Sequence, residues 1–138
     1  MYQQILLASD GSTDSVKAAE KAFELANLTG GHVEIVYVID RETSKHDALR
    51  HADSSGLDME RREKLSSTEA IAEEANVSYD VTILHGSPST TLIDHANETK
   101  SDLVVMGTRG LNVLQEMVIG SVSHQVIQKA NCPVLVVK

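Results

Sequence analysis

Five short apolar runs, Ile5 to Ala8, Val33 to Ile39, Val77 to Leu84, Leu103 to Met106 and Val134 to Val137, are spread along 138 residues with a helical pattern in each gap. Each run is rich in Val, Ile or Leu and has the length of one strand. When a helix intervenes before every new strand, the chain is carried back to its starting edge and the strands run parallel. A parallel sheet must be covered on both faces, because its strands are apolar on both. The expected fold class is therefore α/β, a doubly wound parallel sheet with helices on both faces. A chain of this length fits one domain, residues 1–138.

The helical patterns carry their own stop and start signals. The first puts Val16, Ala19, Phe23 and Ala26 on one face and ends at Gly30-Gly31, where glycine takes the left-handed conformation without penalty. The second sets Leu65, Ala72 and Ala75 on one side. In the third, Ser87 is placed to cap and Pro88 to occupy the first helical position, ahead of Leu92, Ile93 and Ala96. The fourth begins near Ser121, turns Val122, Val126 and Ala130 inward, and is stopped by Pro133. The first, second and fourth strands are continuously apolar, whereas Val77, Tyr79, Val81 and Ile83 alternate with polar residues, so the third strand is expected at an edge. Residues 41–58 hold few large apolar side chains and are expected to form a long connection able to carry a lid.

Charge and composition narrow the function classes. A net charge of -8 opposes a phosphate backbone, which calls for clustered Lys and Arg, so no nucleic-acid partner is expected. No apolar run is long enough to span a membrane. Met1 leads into Tyr2-Gln3-Gln4 with no basic region before an apolar core, so export is not expected. The single cysteine, Cys132, has no partner for a disulfide, and a cytoplasmic location follows as the expectation.

Ligands of open α/β sheets bind beyond the carboxyl ends of the strands, near the point where strand order reverses. Here those ends are Ala8-Ser9-Asp10-Gly11-Ser12, Val38-Ile39-Asp40 and Met106-Gly107-Thr108-Arg109-Gly110. Nine residues follow Gly110 before Gly120-Ser121-Val122-Ser123 opens the last helix. A helix start offers free N–H groups and about half a positive charge, which suits an anion. Gly120 would admit a phosphate closely, Ser121 and Ser123 could add hydroxyl donors, and Arg109 could supply the positive charge that the acidic chain otherwise lacks. On its own the GxxG element is a weak signal that reads first as strand and helix punctuation, with Ser121 as a cap. The spacer residues Leu111, Leu114 and Val118 have helical spacing, which could fold it back and bring Gly120 near Gly107.

The arrangement GxxG, nine residues, GS resembles the ATP-binding branch of the universal stress protein family. The opening ILLASDGS, the strand ending at Val38, the GSP turn at Gly86 to Pro88 and the closing CPVLVVK are similar in order and spacing, so the resemblance covers nearly the whole chain. It implies a five-stranded parallel sheet in the order 3-2-1-4-5, ATP across the strand ends with Mg2+ or Mn2+ bound through the phosphates, and frequently a homodimer. Carried over by position, Ser9 and Asp10 would meet the adenosine end and Val38 would contact adenine through its backbone. Met106, Gly107, Arg109 and Gly110 would border ribose and phosphates, and Gly120, Ser121, Val122 and Ser123 would hold the phosphates. Asp10 has a second reading as the cap of the following helix. A carboxylate repels a triphosphate, which places it at the sugar end.

Catalytic machinery is not evident. A Walker loop needs a lysine after its glycines, and none stands here. His124, one turn into the last helix, is either a solvated surface residue or a group approaching the terminal phosphate. The other histidines lack metal-ligand spacing, and Cys132 reads as a structural thiol. The run Ser9 to Ser15 is one residue too long for the SGGxDS loop of ATP pyrophosphatases. A response-regulator receiver would need an aspartate ending the third strand, which ends in His85-Gly86. The expected function is an ATP-binding stress protein acting as a signalling switch with little or no turnover. The alternatives are a slow ATPase or phosphotransferase, and a nucleotide-free interaction module. A homodimer is expected through the last strand, whose apolar edge would otherwise stay open. The signalling partner is not identified by the sequence.

Overall fold

The computed structural model describes residues 2–9, 13–39, 66–107 and 121–138. Within them lie five strands, β1 (Gln4–Ser9), β2 (His32–Ile39), β3 (Tyr79–His85), β4 (Leu103–Gly107) and β5 (Val134–Val137). Four helices alternate with these: α1 (Thr13–Thr29), α2 (residues 66–75), α3 (Pro88–Glu98) and α4 (Ser121–Lys129). The connection 41–58, Leu65 and the nine-residue spacer lie outside the described residues.

The strands form one parallel sheet in the order β3-β2-β1-β4-β5, as the resemblance implies. β1 is central, with Ile5 facing Val33 on one side and Leu103 on the other. Period-two alternation divides each strand between two cores. Ile5, Leu7, Val33, Ile35, Leu103 and Val105 pack under Ala18, Ala22, Phe23 and Ala26 of α1 and Ala72 of α2. Leu6, Val36, Val38, Val104 and Met106 pack under Leu92, Ile93 and Ala96 of α3 and Val126 of α4. Apolar runs without alternation are thus explained: both parities of β1, β2 and β4 are buried. The edge position expected for the third strand is found, since among the described strands β3 pairs with β2 alone.

Some details differ from the sequence reading. The third strand starts at Tyr79 instead of Val77, because Asn76 closes α2 in a left-handed conformation (φ 57°) and Val77 reaches the core from the turn. Ile83, one of the apolar residues of the alternation, is 46% exposed at the sheet edge, and Leu84 packs on the α3 and α4 face. Ser87 stands at the N-cap of α3 but makes no side-chain capping bond; Pro88 does take the first turn. Val16 is only half-buried, while Ala18 and Ala22 carry the inner face of α1.

The ends of the helices and strands are tied together at the amino edge of the sheet. Gly30 (φ 71°) turns the chain out of α1, and the Gly31 N–H donates back to the Ala26 carbonyl at 3.0 Å. Lys100 repeats the device after α3 with φ 54°, and the Ser101 N–H donates to the Ala96 carbonyl at 3.0 Å. The Asp102 carboxylate accepts the N–H groups of Gln3 and Gln4 at 3.0 and 2.9 Å, joining the starts of β1 and β4. On the α3 face, Glu34 of β2 accepts from Thr82 of β3 at 2.8 Å and pairs with His95 of α3 at 2.9 Å, which fixes how α3 sits on the outer strands.

Candidate functional site

β1, β2 and β4 all end at the same side of the sheet. Ser9 is in register with Tyr37, and continuing the pairing of Leu7 with Val105 by two residues sets Ser9 level with Gly107. Val38 lies one residue past that level on β2. The chain leaves β1 for β2 through α1 on one face and enters β4 through α3 on the other, so the strand order reverses between β1 and β4. This is the crevice where open α/β sheets take ligands.

Ser9, Val38, Met106 and Gly107 are buried at that edge, with Ser9 and Val38 each 6% exposed and Met106 3%. The first turn of α4 abuts the same place. Ser123 is fully buried, and its hydroxyl donates to the Gly107 carbonyl at 2.9 Å. Ser121 opens α4 and Val122 is half-buried against the Val104 and Met106 core. The first turn of α4 contains no acidic residue, so no carboxylate of that turn opposes the positive end of its dipole. Asp10, Arg109, Gly110 and Gly120 lie outside the described residues.

One residue of this region escapes a motif-based reading. Thr68 of α2 is fully buried, with its hydroxyl 3.5 Å from that of Ser9. The signal is its position: Leu65, Thr68, Ala72 and Ala75 follow helical spacing, so Thr68 is a polar residue in an apolar stripe. His124 is exposed on α4. Cys132 sits half-buried beside β4, where burial and the Asp102 carboxylate push its thiol above the ordinary value, partly offset by the Val104 N–H. Among the described residues no three His, Cys, Asp or Glu side chains form a metal site, and no helix is long and apolar enough to cross a membrane.

The sequence profile of the universal stress protein family matches residues 1–138. The chain belongs to this family. Among its universal stress protein relatives, MJ0531 of Methanocaldococcus jannaschii is 35% identical over 141 residues, covering all of this chain and 83% of that one. YxiE of Bacillus subtilis is 34% identical over 149 residues with full coverage of both. The solved structure of MJ0577 superposes with a TM-score of 0.83 at 29% identity, covering 100% of this chain and 96% of the other. A universal stress protein from Archaeoglobus fulgidus, solved in complex with dAMP, gives 0.74 at 25% identity, with 99% and 98% covered. The fold is shared again by a universal stress protein solved with cAMP, at a TM-score of 0.72 and 24% identity, with 99% and 96% covered.

Proposed function

We propose that this universal stress protein binds ATP across the carboxyl ends of β1, β2 and β4 and acts as a nucleotide-dependent switch in a stress response, with little or no turnover. The observation that carries the proposal is the junction of α4 with β4: Ser123 holds an acid-free helix start against the end of β4 at 2.9 Å. The glycines of the GxxG and GS elements, Gly107, Gly110 and Gly120, flank that junction in sequence. A family relative crystallised with dAMP supports a nucleotide as the ligand class.

In this reading Ser9 and Asp10 serve the adenosine end, Val38 faces adenine through its backbone, and Met106, Gly107, Arg109 and Gly110 border ribose and phosphates. Gly120, Ser121, Val122 and Ser123 supply N–H groups to the phosphates. Ser123 does so from its backbone alone, because a serine hydroxyl has one donor hydrogen and here it goes to Gly107. Mg2+ or Mn2+ would be carried by the phosphates. The residues on the page bind and orient; no lysine follows the glycines to stabilise a transferring phosphoryl group.

We also propose that the protein is cytoplasmic and dimerises through β5, which among the described strands pairs with β4 alone and leaves Leu135 39% exposed at the edge. Isothermal titration with Mg-ATP tests the main reading. Saturable heat that is lost in Gly120→Val is expected; the absence of saturable heat at millimolar nucleotide would overturn it.

A further inference from the structure

At the far end of the sheet from the nucleotide site, α1 and α2 diverge around an open groove of about 290 Å3. Both helices run back toward the starts of the strands, and the groove is lined by residues within 20–27 of α1 and 71–75 of α2. Its floor is apolar, formed by Phe23, Ile71 and Ala75, and its banks carry Glu20 and Glu24 on α1 and Glu74 on α2. Glu24 is engaged by Lys21 at 3.3 Å in an exposed pair. Glu20 and Glu74, one on each bank and both exposed, have no ion pair among the described residues. Leu28 extends the Glu20 and Glu24 row by one helical turn and is 80% exposed, more than any other large apolar residue described. Phe23 meets Tyr79 edge-on with ring centroids 6.3 Å apart, which ties the floor to the start of β3.

An apolar floor between two carboxylates that have no ion pair among the described residues, with Leu28 exposed one helical turn beyond Glu24, has the layout of an interface: a small apolar core with a charged rim. The charge selects the occupant. A second copy of this chain would bring further acids to an acidic face, whereas a cationic segment would complement both banks and be steered to them. We propose that this groove docks a cationic amphipathic segment of a partner protein, its apolar side chains on Ile71, Ala75 and Leu28 and its Lys or Arg side chains on Glu20 and Glu74. The groove shares no residue with the nucleotide site, so this inference stands or falls independently of ATP binding.

The test uses the full chain, isotope-labelled for amide NMR, titrated with a short synthetic helix-forming leucine–lysine peptide and, separately, with its leucine–glutamate counterpart. Amide shifts confined to residues 20–28 of α1 and 71–75 of α2 are expected with the lysine peptide alone. Glu20→Lys with Glu74→Lys should weaken binding by roughly tenfold or more, while Asp94→Lys with Glu98→Lys, the same charge change on the exposed face of α3, should weaken it by less than about twofold. Leu28→Ser should also weaken it by removing an apolar contact, and with Leu28 80% exposed the fold loses little. Equal losses in the two double variants would show attraction to net charge only and overturn the proposal. Shifts elsewhere, or no binding at millimolar peptide, would do the same. Groove shifts that appear on raising protein concentration without peptide would assign the groove to a second copy and overturn the partner stated here.

Discussion

The hydroxyl of Ser123 donates to the carbonyl of Gly107 across 2.9 Å, joining two residues 16 apart in the chain at full burial. This bond sets the distance between the end of β4 and the start of α4, the two edges expected to hold phosphate. Ser123→Ala removes the one side-chain donor to that carbonyl among the described residues. A lost buried hydrogen bond costs about 1–3 kcal/mol, so the nucleotide-free protein should unfold at lower denaturant with an unchanged slope. A serine that served only as a phosphate ligand would leave the free protein unaffected and lower ATP affinity alone. Ser123→Thr, which keeps the hydroxyl, should recover part of the loss.

Gly30 and Gly31 are adjacent but constrained by different forces, and substitution should separate them. Gly30 has φ 71° and open space where a side chain would stand, so Gly30→Ala should cost about 1 kcal/mol, from backbone conformation alone. At Gly31 an added Cβ would lie 2.6 Å from the Tyr2 carbonyl oxygen, so overpacking of about 1–3 kcal/mol is expected. Asparagine tolerates the left-handed region and should be milder than alanine at Gly30 but not at Gly31. Urea denaturation of the four variants measures this.

Lys100 occupies the same kind of left-handed position with φ 54°, without glycine's freedom. Lys100→Gly should therefore stabilise the protein by about 0.5–1 kcal/mol, read as a higher denaturation midpoint. The side chain is exposed and has no hydrogen bond or ion pair among the described residues, so little contact is lost to offset the gain.

The layered architecture was legible in the sequence because it rests on periodicity. Leu103 to Met106 is apolar at every position since β4 is buried on both faces, and Val77 to Leu84 alternates since β3 is an edge. What was not legible depends on tertiary placement. Whether Ser87 caps α3, or Ser123 points at a phosphate or at Gly107, is decided by the neighbour each hydroxyl meets. Thr68 was passed over because a lone threonine in a helix has the composition of surface, and only the apolar stripe around it marks it as core. At the site, Ser9, Val38, Met106 and Gly107 were placed by the rule of strand ends, which needs only the order of elements.

Cys132 and Tyr79 give the stability an alkaline limb. Burial and Asp102 raise the Cys132 thiol above its ordinary 9.0. Burial, with Glu73 and then Glu69, raises the Tyr79 phenol above 10.0. Both groups are neutral when protonated, so the folded state keeps its protons at a pH where the unfolded chain has begun to lose them. Their contribution is complete below the unfolded values and is lost as pH rises through the folded ones. Stability should therefore be level near pH 8 and decline above about pH 9, with Cys132→Ala flattening the earlier part of the decline. The same raised thiol should react with iodoacetamide more slowly than free N-acetylcysteine at pH 8, because the thiolate is the nucleophile. The gap should narrow as pH climbs. A Cys132 that alkylates at the free-thiol rate at pH 8 would show that neither burial nor Asp102 restrains it in solution.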